Sequence, residues 1–124
     1  MACRKLRILV ADDDPDIVLS LMTLLRAEGH EALAVHHGAD VVDTVADFAP
    51  DALLLDIGLP QQSGYEIALA LRERYGSARP VILAITGRDL PADRQLSEMV
   101  GFDRHFLKPV EPKELLAALC TLVR

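Results

Sequence analysis

The sequence predicts an α/β protein: a doubly wound, open parallel sheet built from five βα units, (βα)5, in three layers. Three observations lead there. Short apolar, β-branched runs alternate from end to end with segments whose apolar residues recur at helical spacing. Two of the runs, Ala52-Leu53-Leu54-Leu55 and Val81-Ile82-Leu83-Ala84-Ile85, are apolar at consecutive positions, as strands covered by helices on both faces must be. The 124 residues, 51% of them apolar, suffice for one core and leave no linker, so residues 1–124 are expected to form a single domain with no effector domain attached.

The elements follow in order. Arg7-Ile8-Leu9-Val10-Ala11 reads as a buried strand. From Pro15 to about Glu28, Ile17, Val18, Leu21, Met22, Leu24 and Leu25 line one helical face, with Asp14 as N-cap, Pro15 in the first turn and Gly29 as the stop. Glu31 to Val35 is a second, weaker strand. Val41, Val42, Val45 and Phe48 form the inner stripe of a second helix, which Pro50 ends. The flanking Pro50 and Pro60 decide for strand over residues 52–55, and a loop from Gly58 to Gly64 leads into a helix through Leu71. Pro80 introduces the fourth strand. Residues from about Leu90 to Val100 make the poorest helix, held by Leu96, Met99 and Val100. His105-Phe106-Leu107 and a helix carrying Leu115, Leu116, Leu119 and Leu122 complete the fifth unit.

Charge narrows the function classes. The chain has 19 acidic against 13 basic residues and a formal net charge of -6, which disfavours nucleic acid and anionic membrane surfaces as partners. No apolar stretch reaches the length of about 18 residues that a membrane span needs, and Met1-Ala2-Cys3-Arg4 does not open a signal peptide, so a cytoplasmic protein is expected. Cys3 and Cys120 form no CxxC pair and are expected as plain thiols. His30, His36 and His37 flank the second strand without metal-ligand spacing and are expected at the surface.

The placement of the polar residues is the informative part. In open parallel sheets, ligands bind beyond the carboxyl ends of the strands, near the point where strand order reverses. Here the strong apolar runs end in Asp12 and Asp13, Asp56, Thr86 and Lys108. Carboxylates crowded on one rim cannot all stay ionised without a cation. The all-oxygen donor set selects Mg²⁺ or a similar hard ion such as Mn²⁺, with positions left for phosphate oxygens. Lys108 supplies a point charge and Thr86 a hydroxyl for the oxygens of a phosphoryl group in transfer. Asp56, alone at the end of a buried strand, suits the nucleophile, while Asp12 and Asp13 suit the metal. Asp14 and Asp16 are better explained as helix-capping and first-turn acids.

Four stretches, in order and at the right strand ends, resemble the receiver domain of bacterial two-component response regulators. They are Ile8-Leu9-Val10-Ala11-Asp12-Asp13-Asp14-Pro15, Leu55-Asp56-Ile57-Gly58-Leu59-Pro60 followed by Gly64, Ala84-Ile85-Thr86-Gly87, and Phe106-Leu107-Lys108-Pro109. The resemblance implies a flavodoxin-like strand order 2-1-3-4-5. It implies that Asp56 accepts a phosphoryl group from a histidine kinase or a histidine phosphotransfer protein. By the same resemblance Asp13, Asp56 and the carbonyl of Gly58 ligate Mg²⁺, Asp12 acts through water, and Thr86 and Lys108 bind phosphoryl oxygens. The bond before Pro109 would be cis, the domain would hydrolyse its own acyl phosphate, and Gly58 and Arg88 would modulate its lifetime. Output would pass to a downstream protein through the face of the fourth and fifth helices, from a monomer or weak dimer. The family often carries Tyr or Phe where this chain has His105, so His105 is read equally as a packing residue or a switch.

Other classes compare poorly. A haloacid dehalogenase-type phosphatase would use Asp12 and Asp14 as its Asp-x-Asp, but the chain is short for that group and Asp56 would have no purpose. A constitutive interaction module would not need Asp12, Asp13, Asp56, Thr86 and Lys108 together. A flavodoxin-type cofactor phosphate would be repelled by three successive acids after the first strand.

Overall fold

The computed structural model describes residues 4–58, 64–76, 79–87 and 101–123. Strands β1 (Arg7–Ala11), β2 (Glu31–Val35), β3 (Ala52–Asp56), β4 (Val81–Thr86) and β5 (Arg104–Leu107) form one sheet in the order β2-β1-β3-β4-β5, parallel throughout. The helices are α1 (Pro15–Ala27), α2 (Val41–Phe48), α3 (Gly64–Tyr75) and α4 (Pro112–Leu122), and a 3-10 turn over Gly38–Asp40 leads into α2. The helix expected over 90–100 lies outside the described residues.

Alternation along the strands sorts the core into two layers, because successive side chains leave a strand on opposite faces. Ile8 and Val10, Ala52 and Leu54, and Leu83 and Ile85 pack with Leu21 and Leu25 of α1 and Leu115, Ala118 and Leu119 of α4. Leu9 and Ala11, Leu53 and Leu55, and Ile82 pack on the other face with Val41 and Val45 of α2 and Ile67, Ala68 and Leu71 of α3. All five residues of β3 and all six of β4 are buried. This is the double cover their unbroken apolar runs predict.

Local chemistry sets the element ends. The Asp14 side chain accepts from the backbone N–H groups of Asp16 and Ile17, capping α1 as expected. Glu111 caps α4 by accepting from Glu114 N at 2.8 Å, and this helix begins three residues before its first apolar anchor, Leu115. Helix α3 runs one turn past Leu71, because Arg72 does not face water. Its guanidinium donates to the carbonyls of Gly101 and Pro80 and pairs with Asp103 at 2.7 Å, tying α3 to the entry of β5.

The amino edge of the sheet is a second cluster of satisfied polar groups. Asp51 accepts from Arg7 N at 2.8 Å and pairs with Arg79, while Arg7 pairs with Glu31 and stacks over Phe48. His30 corrects the sequence reading. It is buried, and its Nδ1 accepts from Leu6 N at 3.0 Å, 24 residues away in sequence. Cys120 is another correction: it is not a free thiol but is disulfide-bonded. His36 and His37 are exposed, as expected.

Burial lowers the pKa of His30 from its ordinary 6.5, against a smaller opposing pull from Glu28. The folded state therefore holds His30 neutral where the unfolded chain binds a proton. This contribution is complete above about pH 6.5 and is lost as pH falls below it toward the folded value. We expect the urea midpoint to fall between pH 7 and pH 5 more steeply in wild type than in His30→Leu. At pH 8 the variant should lose ~1–3 kcal/mol through its unsatisfied Leu6 N–H.

Candidate functional site

Strand order reverses at β1: the chain leaves β1 for β2 on one side and returns to β3 on the other, opening a crevice beyond the carboxyl ends of β1 and β3. Register brings the polar residues to that crevice. Ala11 pairs with Leu55, Asp56 with Ile85, and Thr86 with Leu107. Asp12, Asp56, Thr86 and Lys108 are therefore the last strand residues, or the first beyond them, on four neighbouring strands. Asp13 directly follows Asp12, and Gly58 comes two residues after the end of β3, so they lie at the same rim.

The carboxylates of Asp12, Asp13 and Asp56 each offer an oxygen, and the three lie within 4.8 Å of one another. Asp12 and Asp56 are 1% and 7% exposed, whereas Asp13 faces solvent. Lys108 reaches in from the end of β5, its Nζ 3.0 Å from Asp12 Oδ2 and 3.4 Å from Asp56 Oδ2. The remaining oxygens are oriented by backbone: Asp12 Oδ1 accepts from Asp14 N and Asp56 Oδ1 from Gly58 N, both at 3.0 Å. Each is a short local turn that fixes its side chain over its own strand end. The chain thus positions the two buried acids before any ligand arrives.

Burial pushes the Asp56 carboxyl above the ordinary carboxylate range, and the charge of Asp12 adds to this. The Gly58 hydrogen bond and Lys108 pull the other way without prevailing. For Lys108, burial favours the neutral amine, but the hydrogen bond to Asp12 and the charges of Asp56 and Asp12 together outweigh it and raise its pKa. Among the described residues one ammonium faces three carboxylates, an excess of negative charge in a partly dry setting. An all-oxygen cluster of this kind fits a hard divalent cation.

Thr86 is buried at the end of β4, and its carbonyl accepts from Lys108 N at 2.8 Å, locking the two strand ends together. The Lys108–Pro109 bond is cis, as the resemblance implied; the cis Arg79–Pro80 bond was not foreseen. His105 sits half-buried on β5 opposite Ala84. Arg88 lies outside the described residues. Sequence reading missed the groove beside the rim, about 590 Å³, lined by Asp16, Ile17, Ser20, Lys108, Pro109 and Val110. Its only sequence signal is Ile17 and Ser20 on the flank of α1, which the capping role assigned to Asp16 obscured.

A parallel sheet with paired acids after β1, an acid ending β3, a hydroxyl ending β4 and a lysine after β5 defines a phosphoacceptor signalling domain rather than a conventional enzyme. The family model of the response regulator receiver domain matches residues 8–120, and the chain belongs to that family. The response regulator MprA of Mycobacterium avium is 37% identical over 119 residues, covering 96% of this chain and 51% of MprA. The chain therefore spans about half the length of the curated relatives it matches. Among solved structures, the receiver domain of the sensor histidine kinase PA1611 from Pseudomonas aeruginosa, with magnesium in its active-site cleft, is 27% identical with a TM-score of 0.86. It covers 97% of this chain and 98% of that one. The BeF3-activated receiver domain of Klebsiella pneumoniae RstA is also 27% identical, with a TM-score of 0.88, covering 95% and 98%.

Gly64 holds the far side of the loop that follows Asp56. A Cβ there would sit 2.7 Å from the Ile57 Cα and 3.2 Å from the Asp56 carbonyl oxygen. Gly64→Ala is expected to cost ~1–3 kcal/mol in thermal or denaturant unfolding. It should also shift the backbone amide resonances of Asp56 and Ile57. Lys108→Met, which removes the counter-charge, should raise the Asp56 pKa further, as read by carboxyl-carbon NMR titration.

Proposed function

We propose that this domain is a Mg²⁺-dependent phosphoacceptor switch in a two-component relay, in which Asp56 takes a phosphoryl group from a phosphohistidine. The observation that carries the reading is the convergence of the Asp12, Asp13 and Asp56 carboxylates within 4.8 Å, with Lys108 Nζ bridging Asp12 and Asp56. The donor is a histidine kinase or a histidine phosphotransfer protein, acting in the cytoplasm. Among the described residues no helix is long and apolar enough to cross a membrane.

Asp13, Asp56 and the Gly58 carbonyl would hold the metal, Asp12 through water, with Mn²⁺ able to replace Mg²⁺. The bound ion would neutralise carboxylate charge and orient phosphoryl oxygens. The chain's own residues do the rest. An Asp56 carboxylate oxygen attacks phosphorus in line with the departing imidazole nitrogen, forming an acyl phosphate as the P–N bond breaks. Gly58 N–H holds Oδ1 and so leaves Oδ2, the oxygen facing Lys108, as the attacking atom. The Lys108 ammonium and the Thr86 hydroxyl then take phosphoryl oxygens. Gly58 carries no side chain over Asp56: its nearest approach, from a built Cβ, would be 3.7 Å from Oδ1. Water therefore keeps access to the acyl phosphate for self-hydrolysis.

The output surface is the face formed by α4 and the helix expected over 90–100, used by a monomer or weak dimer. The groove between α1 and the Lys108-Pro109 turn is the open approach for the donor. The charge balance argues against nucleic acid as a direct partner.

Incubation with Mg²⁺ and a small acyl phosphate donor should label Asp56 by mass mapping. Asp56→Asn should abolish the label, and Thr86→Ala and Lys108→Ala should each slow it at least tenfold. Label on Asp12, or undiminished label in Asp56→Asn, would instead point to the phosphatase reading. Mg²⁺ at a hundredfold excess over its dissociation constant should stabilise the wild type by ~2.7 kcal/mol, and Asp13→Ala should remove that gain.

A further inference from the structure

A second cavity opens at the amino edge of the sheet, where β3 and β4 begin. Its volume is about 380 Å³, and its lining includes Ala46 and Ala49 from the end of α2, Pro50 and Asp51 ahead of β3, Tyr75 at the end of α3, and Arg79 ahead of β4. The phosphoacceptor reading uses none of these residues. We propose that this cavity binds a small aromatic carboxylate, with its ring against the apolar walls and its carboxylate on the Arg79 guanidinium.

The walls suit a flat apolar group. Ala46 and Ala49 are three residues apart, hence on one side of the helix end, and each carries only a methyl group, so the space a larger side chain would fill stays open. Pro50 and Pro80 are buried and offer rigid apolar surface without a side-chain hydrogen-bonding group. Tyr75 closes another side; it is 39% exposed, and the Arg74 guanidinium lies 5.5 Å over its ring. Aromatic rings gain from offset or edge-to-face contact with such a wall beyond the area they bury, which favours an arene over a branched alkyl group. The volume falls in the usual range for a small-molecule site, roughly 300–1,000 Å³.

The mouth suits an anion. Arg79 and Arg4 converge on the same oxygen of Asp51, Oδ1, with Arg4 at 3.7 Å, while Oδ2 accepts from Arg7 N at 2.8 Å. Two guanidinium groups thus share one carboxylate oxygen, and their side chains remain 51% exposed for Arg4 and 43% for Arg79. A guanidinium presents five N–H donors in a planar fork, more than one shared oxygen engages, so a second carboxylate can bind beside the first. One effect opposes this: the cavity lies at the carbonyl ends of α2 and α3, which repel negative charge. That effect is blunted, because Arg7 donates to the carbonyl of Phe48 and Arg72 to that of Gly76. Strand β3 separates the cavity from Asp56, a distance of about 16 Å, so binding here does not require the acidic rim or its metal.

The test titrates hydrocinnamate into the full chain without Mg²⁺ and follows the backbone amides by two-dimensional NMR. Saturable shifts are expected at Ala46, Ala49, Asp51 and Tyr75, with a Kd on the order of 1 mM for a ligand of this size. Hydrocinnamamide, of the same shape but uncharged, should bind at least tenfold more weakly, and so should hydrocinnamate to Arg79→Met. Ala46→Leu fills the cavity from an exposed position on α2 and should abolish binding while leaving the labelling of Asp56 unchanged. Asp56→Asn should bind hydrocinnamate as wild type does, which separates this result from the phosphoacceptor reading. Equal binding of acid and amide, undiminished binding in Arg79→Met or Ala46→Leu, shifts centred on Lys108 and the acidic rim, or no saturable shift at all would each overturn the proposal.

Discussion

The Lys108 ammonium, shared between the buried carboxylates of Asp12 and Asp56, is the interaction around which the carboxyl edge of the sheet is arranged. Two carboxylates brought this close out of water repel each other, and each also loses hydration. Without a cation between them, one would hold a proton or the strands would part. The lysine arrives from β5, three strands away from β1 in the sheet, so the pairing depends on every intervening register. Ala11 opposite Leu55, Asp56 opposite Ile85 and Thr86 opposite Leu107 set those registers. A slip of one residue in any of them would turn a core face outward and carry an acid away from its counter-charge.

The core makes such a slip costly. Strands β3 and β4 are buried on both faces, so their side chains are keyed into α1 and α4 on one side and α2 and α3 on the other. The amino edge is pinned by polar contacts that satisfy one another: Asp51 with Arg7 and Arg79, His30 with Leu6, and Arg72 with the chain entering β5. Each donor there meets an acceptor in a fixed direction. The carboxyl edge differs, because among the described residues one ammonium answers three acids. Among the described residues, the excess of acid gathers at one end of the sheet and the mutually satisfied polar groups at the other.

Sequence and structure agree most closely where the signal is local. Apolar runs that end in Asp12, Asp56, Thr86 and Lys108 announce both the strands and the rim, because a buried parallel strand is apolar until it leaves the core. The cap of α1 is equally plain in Asp14-Pro15. Features that depend on distant chain are not legible. His30 looks like a loop residue, since its burial follows from the left-handed turn at Gly29 that folds it under Leu6. The last turn of α3 reads as polar because Arg72 finds its partners 29 and 31 residues further along. The need for glycine at position 64 arises only when the backbone of Ile57 comes within 2.7 Å of a built Cβ.

The charge excess at the rim also explains how binding there can be felt elsewhere. A ligand shifts a conformational equilibrium only by the difference in its affinity for the two states. On the phosphoacceptor reading, a phosphoryl group on Asp56 replaces the carboxylate charge with about two on the phosphoryl oxygens, a net gain of about one negative charge, and brings its own acceptor oxygens to a site whose single described ammonium is already divided between Asp12 and Asp56. Lys108 cannot hold Asp12 and Asp56 as it does now and also meet the new oxygens, so its contacts must be redistributed. Lys108 N is bonded to the carbonyl of Thr86, and Thr86 is the residue that ends β4. Movement of the lysine is therefore coupled through one backbone hydrogen bond to the end of the neighbouring strand, while the pinned amino edge holds the other ends of both strands in place. The same imbalance that makes the rim bind a cation makes it the part of the sheet with two competing arrangements.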